Sequence, residues 1–216
     1  PVSARACFHW FFSFRYHAPM DDLGAHLLRR TTAEWRAHGG DLWVFGYASL
    51  IWRPEFDFLE RRPARVHGWH RALRMWSRVN RGTPECPGLV FCLLAGGSCQ
   101  GMAFRIPEAE GEAVLAQLWR REMPMPTYQP RWLPSHTDAG AVRSLAFTLP
   151  RSSPSHTGEL SPEEYRRIFR QAFGRYGSTH DYAHATYEGL RAVGIRDRRL
   201  EQLIRAATPG QGTPGA

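Results

Sequence analysis

The 216-residue sequence contains no lysine, so its 28 Lys+Arg residues are all arginines. They outnumber the 20 acidic residues and give a formal net charge of +8 at neutral pH. Such a charge could serve nucleic-acid binding, could draw anionic small molecules into a cleft, or could reflect composition alone. Because the arginines are scattered from Arg5 to Arg205, without a basic stripe or a zinc-finger, basic-zipper or RNP-like motif, nucleic-acid binding is disfavoured.

Long apolar runs are missing as well, and cysteine is scarce. No run approaches the roughly 20 residues needed to span a bilayer, so no membrane segment is predicted. A convincing signal peptide is absent too, and no C-x-x-C pair occurs among Cys7, Cys86, Cys92 and Cys99. We therefore predict reduced thiols in a cytoplasmic protein. A zinc site that combines these cysteines with His67 and His70 fits no usual ligand spacing, so no metal is predicted.

The composition that remains is that of a globular chain, with 43% hydrophobic and 22% charged residues. At this length the chain can bury a core without disulfides or metals. We predict a single domain over residues 20–207. Residues 1–19, which begin with proline, are expected to be a disordered or non-native extension, and the Gly/Pro-rich residues 208–216 a disordered tail.

Hydrophobic periodicity and turn residues predict strands mainly in the first part of the chain and helices at its end. The predicted helices are Asp22–His38, 107–122, one that begins at the Ser161 capping box, 181–193 and 197–206. The predicted strands are 42–47, 64–78, 142–149 and a hairpin of 89–95 with 100–106 that turns at Gly96 and Gly97, while residues 127–140 are predicted to be a loop. This order indicates an α+β fold rather than a doubly wound sheet.

Glu122 is the most informative single position. It follows Leu115 and Leu118 at helical spacing, so a carboxylate extends the stripe that should face the interior. Arg120 and Arg121 are expected to point elsewhere. Burial and the helix C-terminus would both raise the pKa of this carboxyl towards the range of a general base. The alternative is a solvated or arginine-paired residue at a fraying helix end, which the pattern alone favours.

A second unusual feature is the run of small residues after the first predicted strand. Gly46, Tyr47, Ala48 and Ser49 could expose backbone N–H groups and a hydroxyl to an anionic ligand. The alternative is an ordinary turn, which these residues by themselves favour.

Taken together, these segments resemble the ChaC-type γ-glutamylcyclotransferases. Residues 44–52 read V-F-G-Y-A-S-L-I-W and are similar to the V-F-G-Y-G-S-L-I-W signature, and residues 118–123 read L-W-R-R-E-M and are similar to L-W-K-R-E-M. The resemblance covers about residues 41–206. Further matches are Gly68-Trp69-His70-Arg71-Ala72, Arg81-Gly82-Thr83, Tyr128 with Pro130 and Trp132, Tyr182, and Gly194-Ile195 with Asp197.

This resemblance implies a fold and a reaction. The fold would be a mixed β-barrel or sheet core with flanking helices. The reaction would be intramolecular cyclisation of the γ-glutamyl group of glutathione, giving 5-oxoproline and Cys-Gly, with no metal or organic cofactor. Glu122 would be the general acid/base, and Tyr128 and Tyr182 would hydrogen-bond the γ-glutamyl end. The cradle for that group would be Val44, Phe45, Gly46, Tyr47, Ala48, Ser49 and Leu50.

Two alternatives remain on the same scaffold: a cyclotransferase for other γ-glutamyl peptides or amines, and a non-catalytic γ-glutamyl-binding protein. The second arises because Ala48 replaces the signature glycine. An alanine is tolerated at negative φ but would strain the loop at positive φ. Ser49 has no partnered His and Asp and is not interpreted as a nucleophile. Among the arginines, Arg71, Arg81 and Arg121 lie closest to these motifs in sequence.

Overall fold

The computed structural model describes residues 22–125 and 127–207. The predicted N-terminal extension, residues 1–19, and the predicted C-terminal tail, residues 208–216, lie outside these ranges. Within them, the chain forms five principal strands, a small two-stranded sheet and six α-helices. The predicted α+β class with a mixed barrel core is confirmed.

The core is a closed five-stranded barrel in the order β1-β3-β2-β4-β5. Its neighbours pair antiparallel except where β1 meets β5, at Val44 and Leu145, and where β3 meets β5, at Leu93 and Thr148. Because β1 and β5 run parallel, their C-terminal ends lie at the same end of the barrel. The strands are β1 (Leu42–Gly46), β2 (Glu60–Ser77), β3 (Gly88–Ile106), β4 (Gln129–Thr137) and β5 (Gly140–Thr148).

The helices flank this barrel. Helix α4 begins with the predicted capping box, in which Ser161 and Glu164 satisfy each other's backbone N–H groups. The small sheet, β6 (Phe173–Gly174) with β7 (Gly177–Ser178), precedes α5. The helices are α1 (Asp22–His38), α2 (Ser49–Trp52), α3 (Gly111–Glu122), α4 (Pro162–Gln171), α5 (Thr179–Ala192) and α6 (Arg198–Ala207).

The hairpin predicted at Gly96 and Gly97 is wrong. Both residues lie inside the continuous 19-residue strand β3, which pairs antiparallel with β2 along its length. The two glycines have positive φ, as does Gly68 opposite them, and the register shifts between His67 and Trp69. The glycines therefore build a bulge that bends a long ribbon, rather than a turn that reverses the chain.

The prediction of a loop over residues 127–140 is also wrong, because most of this segment is strand β4. It pairs with β5 from Gln129 with Thr148 to Thr137 with Gly140, and a tight turn joins the two strands. Strand β4 contains Pro130 and Pro134, which lie before the two residues, Ser135 and His136, that pair with β2. Strand positions without a second ladder partner tolerate proline, because it lacks only an N–H donor. Helix α2 was not predicted, because a single helical turn is too short to show hydrophobic periodicity.

Helix α3, which ends at Glu122, is fixed at both ends. At its start, Gly111 packs so closely on Trp35 of α1 that an added Cβ would lie 2.2 Å from the indole. Further along, the Trp119 indole is fully buried and donates to the carbonyl of Gly24 at 3.0 Å. The stripe of Val114, Leu115 and Leu118 is buried as predicted. These contacts set the point at which the Glu122 carboxylate emerges.

Candidate active site

Three tyrosines collect where β1 and β5 end and β4 begins. Tyr47 follows β1 and donates its hydroxyl to the carbonyl of Phe147 at 2.9 Å. Tyr128 precedes β4 and donates to the carbonyl of Phe91 at 3.3 Å. Tyr182 of α5 packs its ring against Phe91, with ring centroids 5.5 Å apart. All three side chains are buried, so this end of the barrel has a phenol-rich floor.

Glu122 faces the same cluster from the end of α3. Its charge raises the pKa of each of the three phenols, in addition to the larger effect of burial. The Glu122 side chain is 19% exposed, so it borders the solvent rather than lying deep in the core. Burial raises the pKa of Glu122 above its ordinary value, and Arg121 only partly opposes this shift. A carboxyl whose pKa is raised in this way is a better proton acceptor than an ordinary surface glutamate.

The expectation that Arg121 points away from Glu122 is wrong. Its Nε lies 3.1 Å from Glu122 Oε1, although consecutive helical residues usually diverge. This contact occurs at the last residue of the helix. The same guanidinium donates to Ser49 Oγ at 3.1 Å and to Glu55 Oε2 at 2.8 Å. Helical periodicity in the sequence predicts neither the contact of Arg121 with Glu122 nor its contact with Glu55.

The predicted cradle divides into core and surface positions. The side chains of Val44, Phe45 and Leu50 are core residues, so only their backbones can meet a ligand. A Cβ on Gly46 would lie 2.9 Å from the Phe104 ring and 3.0 Å from Leu50 Cβ. Glycine therefore lets the chain turn closely from β1 into α2. The partly exposed side chain of this segment that faces Arg121 is Ser49.

Ala48 adopts φ −143°, outside the left-handed region that favours glycine. The alanine at this signature position therefore causes no positive-φ strain. Its side chain is buried, and its carbonyl accepts from the N–H of Ile51 at 2.9 Å to begin α2.

Of the two remaining nearby arginines, Arg71 is buried behind the Tyr47 segment. It donates to the carbonyl of Tyr47 at 2.7 Å and to the carbonyl of Gln100 at 3.0 Å. Its other nitrogens reach the carboxylate of Asp197 at 2.6 and 3.1 Å. Arg71 therefore fixes the backbone of the segment and leaves little capacity for a ligand.

Arg81 lies beside the tyrosines. Its guanidinium sits 4.8 Å from the centre of the Tyr182 ring and donates to the carbonyl of Tyr176. Within the described parts of the chain, no carboxylate lies within ion-pair distance of it. Burial lowers the pKa of Arg81, but a guanidinium in a protein keeps its charge.

Two surface clefts lie elsewhere. One of about 280 Å³ is lined by Trp35, Trp43 and Trp132, near the opposite end of β1. Another of about 610 Å³ lies between residues 55–57 and the first half of α3. Over residues 22–125 and 127–207, no group of three or more His, Cys, Asp or Glu side chains is placed to hold a metal ion.

Comparison with known proteins gives consistent matches. The sequence model of the family described as ChaC-like protein matches residues 42–208. A glutathione-specific gamma-glutamylcyclotransferase of Escherichia coli K12 is 32% identical over 170 residues, covering 78% of this chain and 74% of that protein. The human glutathione-specific gamma-glutamylcyclotransferase 1 is 29% identical over 185 residues, covering 81% and 83% of the two chains.

Solved structures share the fold. A yeast gamma-glutamyl cyclotransferase specific to glutathione superposes with a TM-score of 0.71 at 20% identity, over 78% of this chain and 96% of that chain. YkqA from Bacillus subtilis superposes with a TM-score of 0.54 at 15% identity, over 85% of this chain and 58% of that chain. At these identities the likeness concerns the barrel and its flanking helices.

Proposed function

Since this chain belongs to the family of ChaC-like proteins, we propose that it is a γ-glutamylcyclotransferase that converts glutathione into 5-oxoproline and Cys-Gly. The observation that carries the proposal is the Glu122 carboxylate, partly exposed beside three buried tyrosines and the segment from Gly46 to Leu50. The names of the relatives that match most of the chain support the choice of substrate.

The chemistry needs one proton-transfer group and no external nucleophile. Glu122 takes a proton from the α-ammonium of the substrate, and the freed amine attacks the γ-carbonyl carbon. The new C–N bond closes a five-membered ring and leaves a tetrahedral oxyanion. As the bond to the cysteine nitrogen breaks, Glu122 returns the proton to that leaving amine. The ring nitrogen then releases its second surplus proton to the freed Glu122 carboxylate, which passes it to the Cys-Gly amine or to solvent, so that the lactam nitrogen is left neutral with one proton. Because both reacting groups belong to one molecule, holding its bent conformer supplies much of the rate enhancement.

The surrounding groups suit a γ-glutamyl ligand. Backbone N–H groups of residues 47–50 and the Ser49 hydroxyl are the donors that we assign to the substrate carboxylate or to the oxyanion. Tyr128 and Tyr182 line the floor beneath the γ-glutamyl end. Arg81 adds a positive charge at the site without a carboxylate partner among the described residues, and glutathione is net anionic.

Substitution of Glu122 by glutamine tests this assignment. The amide keeps the shape of the side chain but cannot take up the proton, so we expect 5-oxoproline formation to fall by about 10²- to 10⁴-fold. The measurement is mass-spectrometric detection of 5-oxoproline and Cys-Gly after incubation with glutathione. Glu112→Gln, an exposed change on the same helix, is the matched control and should keep full turnover. Substantial turnover by a folded Glu122→Gln variant would refute the assignment.

A substrate panel separates this function from its neighbours. Glutathione and several γ-glutamyl dipeptides are compared by the rate of 5-oxoproline release. Preference for a dipeptide would indicate a cyclotransferase for other γ-glutamyl compounds, and binding without release would indicate a non-catalytic binding protein. We also propose a cytoplasmic location. Among the described residues, no helix combines the length and hydrophobicity of a membrane-spanning segment.

A further inference from the structure

Arg121 uses each nitrogen of its guanidinium for a different neighbour. Nε contacts Glu122 Oε1 at 3.1 Å, and Nη2 donates to Ser49 Oγ at 3.1 Å. Nη1 donates to Glu55 Oε2 at 2.8 Å and to the carbonyl of Arg53 at 2.6 Å. One planar group thus connects the carboxylate at the end of α3, the first residue of α2 and the segment that follows α2.

Glu55 is the second anion on this guanidinium. It is the non-glycine residue with positive φ in the described chain, at 62°. The left-handed conformation is energetically unfavourable for a glutamate, so other contacts must stabilise it. Its carbonyl accepts from Gln117, one helical turn before Arg121, and its carboxylate also contacts Arg53 at 2.5 Å. Gln117 and Arg121, on one face of α3, therefore both hydrogen-bond the segment that follows α2.

We propose that Arg121 is a positioning residue for the proposed reaction: it holds the Glu122 carboxylate next to Ser49. Glu55 competes with Glu122 for the same guanidinium and so weakens the interaction between Arg121 and Glu122. The inference rests on the proposed function. Glu122 and Glu55 share one cation whose exposed fraction is only 19%, so the two carboxylates compete for it in a poorly solvated place.

The charged and titratable groups around Glu122 come from every element packed there. Arg121 lies on its own helix, and Glu55 with its partner Arg53 lies on the segment after α2. Tyr47, Tyr128 and Tyr182 lie on the barrel end and α5, with Arg81 against the Tyr182 ring. The phenols stay protonated near neutral pH because burial raises the pKa of each one. The charge balance at Glu122 is therefore set mainly by Arg121 and Glu55.

Opposite effects of two substitutions follow from this balance. Without the Arg121 cation, the ionised form of Glu122 loses stabilisation and binds its proton more tightly. Without the Glu55 anion, Glu122 no longer shares the Arg121 cation with another carboxylate, so its proton is released more easily. Since a general base must be ionised, the acid limb of the kcat profile moves to higher pH in the first case and to lower pH in the second.

The experiment measures kcat for glutathione against pH in Arg121→Gln, Glu55→Gln and Arg120→Gln, the last being an exposed neighbour with the same charge. On the acid limb we expect activity relative to the plateau to fall on the order of tenfold in Arg121→Gln and to rise in Glu55→Gln. Arg120→Gln should follow the parent profile. Arg121→Lys, which keeps the charge but not the fork, should keep the pH limb and lose plateau kcat.

A titration of the Glu122 carboxyl by NMR, with ¹³C-labelled glutamate and Glu122→Gln to assign the signal, gives a readout independent of turnover. Limbs that move in opposite directions in both measurements support the proposal. The proposal is overturned if the acid limbs of Arg121→Gln and Glu55→Gln stay in place or move in the same direction, or if Arg120→Gln shifts its limb equally. In that case an inactive Glu122→Gln variant would still support the proposed function. An active Glu122→Gln with shifted titrations would refute the base and leave the contact network standing.

Discussion

At the scale of single residues, Ala48 marks the departure of this chain from the signature that it otherwise follows. The sequence left open whether φ at this position is positive, which would strain an alanine, or negative, and φ at Ala48 is −143°. The methyl group is buried against the core. The alanine therefore fits the site segment without the penalty of a positive φ. This position gives no support to the alternative of a non-catalytic γ-glutamyl-binding protein.

Restoring glycine at position 48 should consequently do little for catalysis. We expect Ala48→Gly to change kcat/KM for glutathione by less than about threefold, while stability falls by about 0.4–1 kcal/mol because the unfolded chain gains freedom. Steady-state kinetics and urea unfolding measure the two effects. A large rise in kcat would show that the alanine does restrict the segment.

At the scale of elements, the sequence predicts well where one helix or strand face meets the core and poorly where a feature depends on distant pairing. The buried stripe of α3 and the Ser161 cap follow from residues within one or two turns. The bulge at Gly96 could not be foreseen, because glycine pairs signal turns equally well until β2 is placed alongside. The contact between Arg121 and Glu55 depends likewise on the path of residues 53–55.

The packing of α1 on α3 at Gly111 can be tested directly. An alanine there would place its Cβ 2.2–2.4 Å from Trp35 ring atoms, so we expect Gly111→Ala to lower the free energy of unfolding by about 1–3 kcal/mol. In a Trp35→Ala background the clash disappears, and alanine should become neutral or stabilising through its helix propensity. Urea unfolding of the four proteins gives the cycle. Equal costs in both backgrounds would contradict this packing.

At the scale of the whole molecule, a buried ion pair joins the barrel to the C-terminal helix. Arg71 of β2 is 4% exposed and pairs with Asp197, whose carboxylate also accepts from the N–H of Leu200 in α6 at 3.0 Å. The same arginine holds the Tyr47 carbonyl. Although burial alone would raise it, Arg71 and the α6 backbone hold the pKa of Asp197 below its ordinary value.

Asp197→Asn should destabilise the protein by about 3 kcal/mol, since Arg71 is left as a buried, unpaired charge. The difference from the parent should be fully present above the unfolded-state pKa of Asp197. It should vanish as pH falls through the lowered folded-state pKa. Urea unfolding at several pH values measures it. The control is Glu159→Gln, which removes an ion pair with Arg74 in which the Glu159 side chain is 87% exposed. It should lower the free energy of unfolding by less than about 1 kcal/mol. Similar costs for both would contradict the argument.

Strand β3 has a further consequence, for the rates at which parts of the site can move. It pairs with β1, with nearly all of β2 and, at Leu93, with β5, so it cannot separate without opening the barrel. The Phe91 carbonyl that receives the Tyr128 hydroxyl belongs to this strand. Residues 53–55 are instead held by side chains of α3, and can detach without disturbing any strand. The floor of the site thus persists as long as the native barrel, whereas the contacts that hold residues 53–55 are side-chain hydrogen bonds, which can open locally on a faster timescale than the barrel.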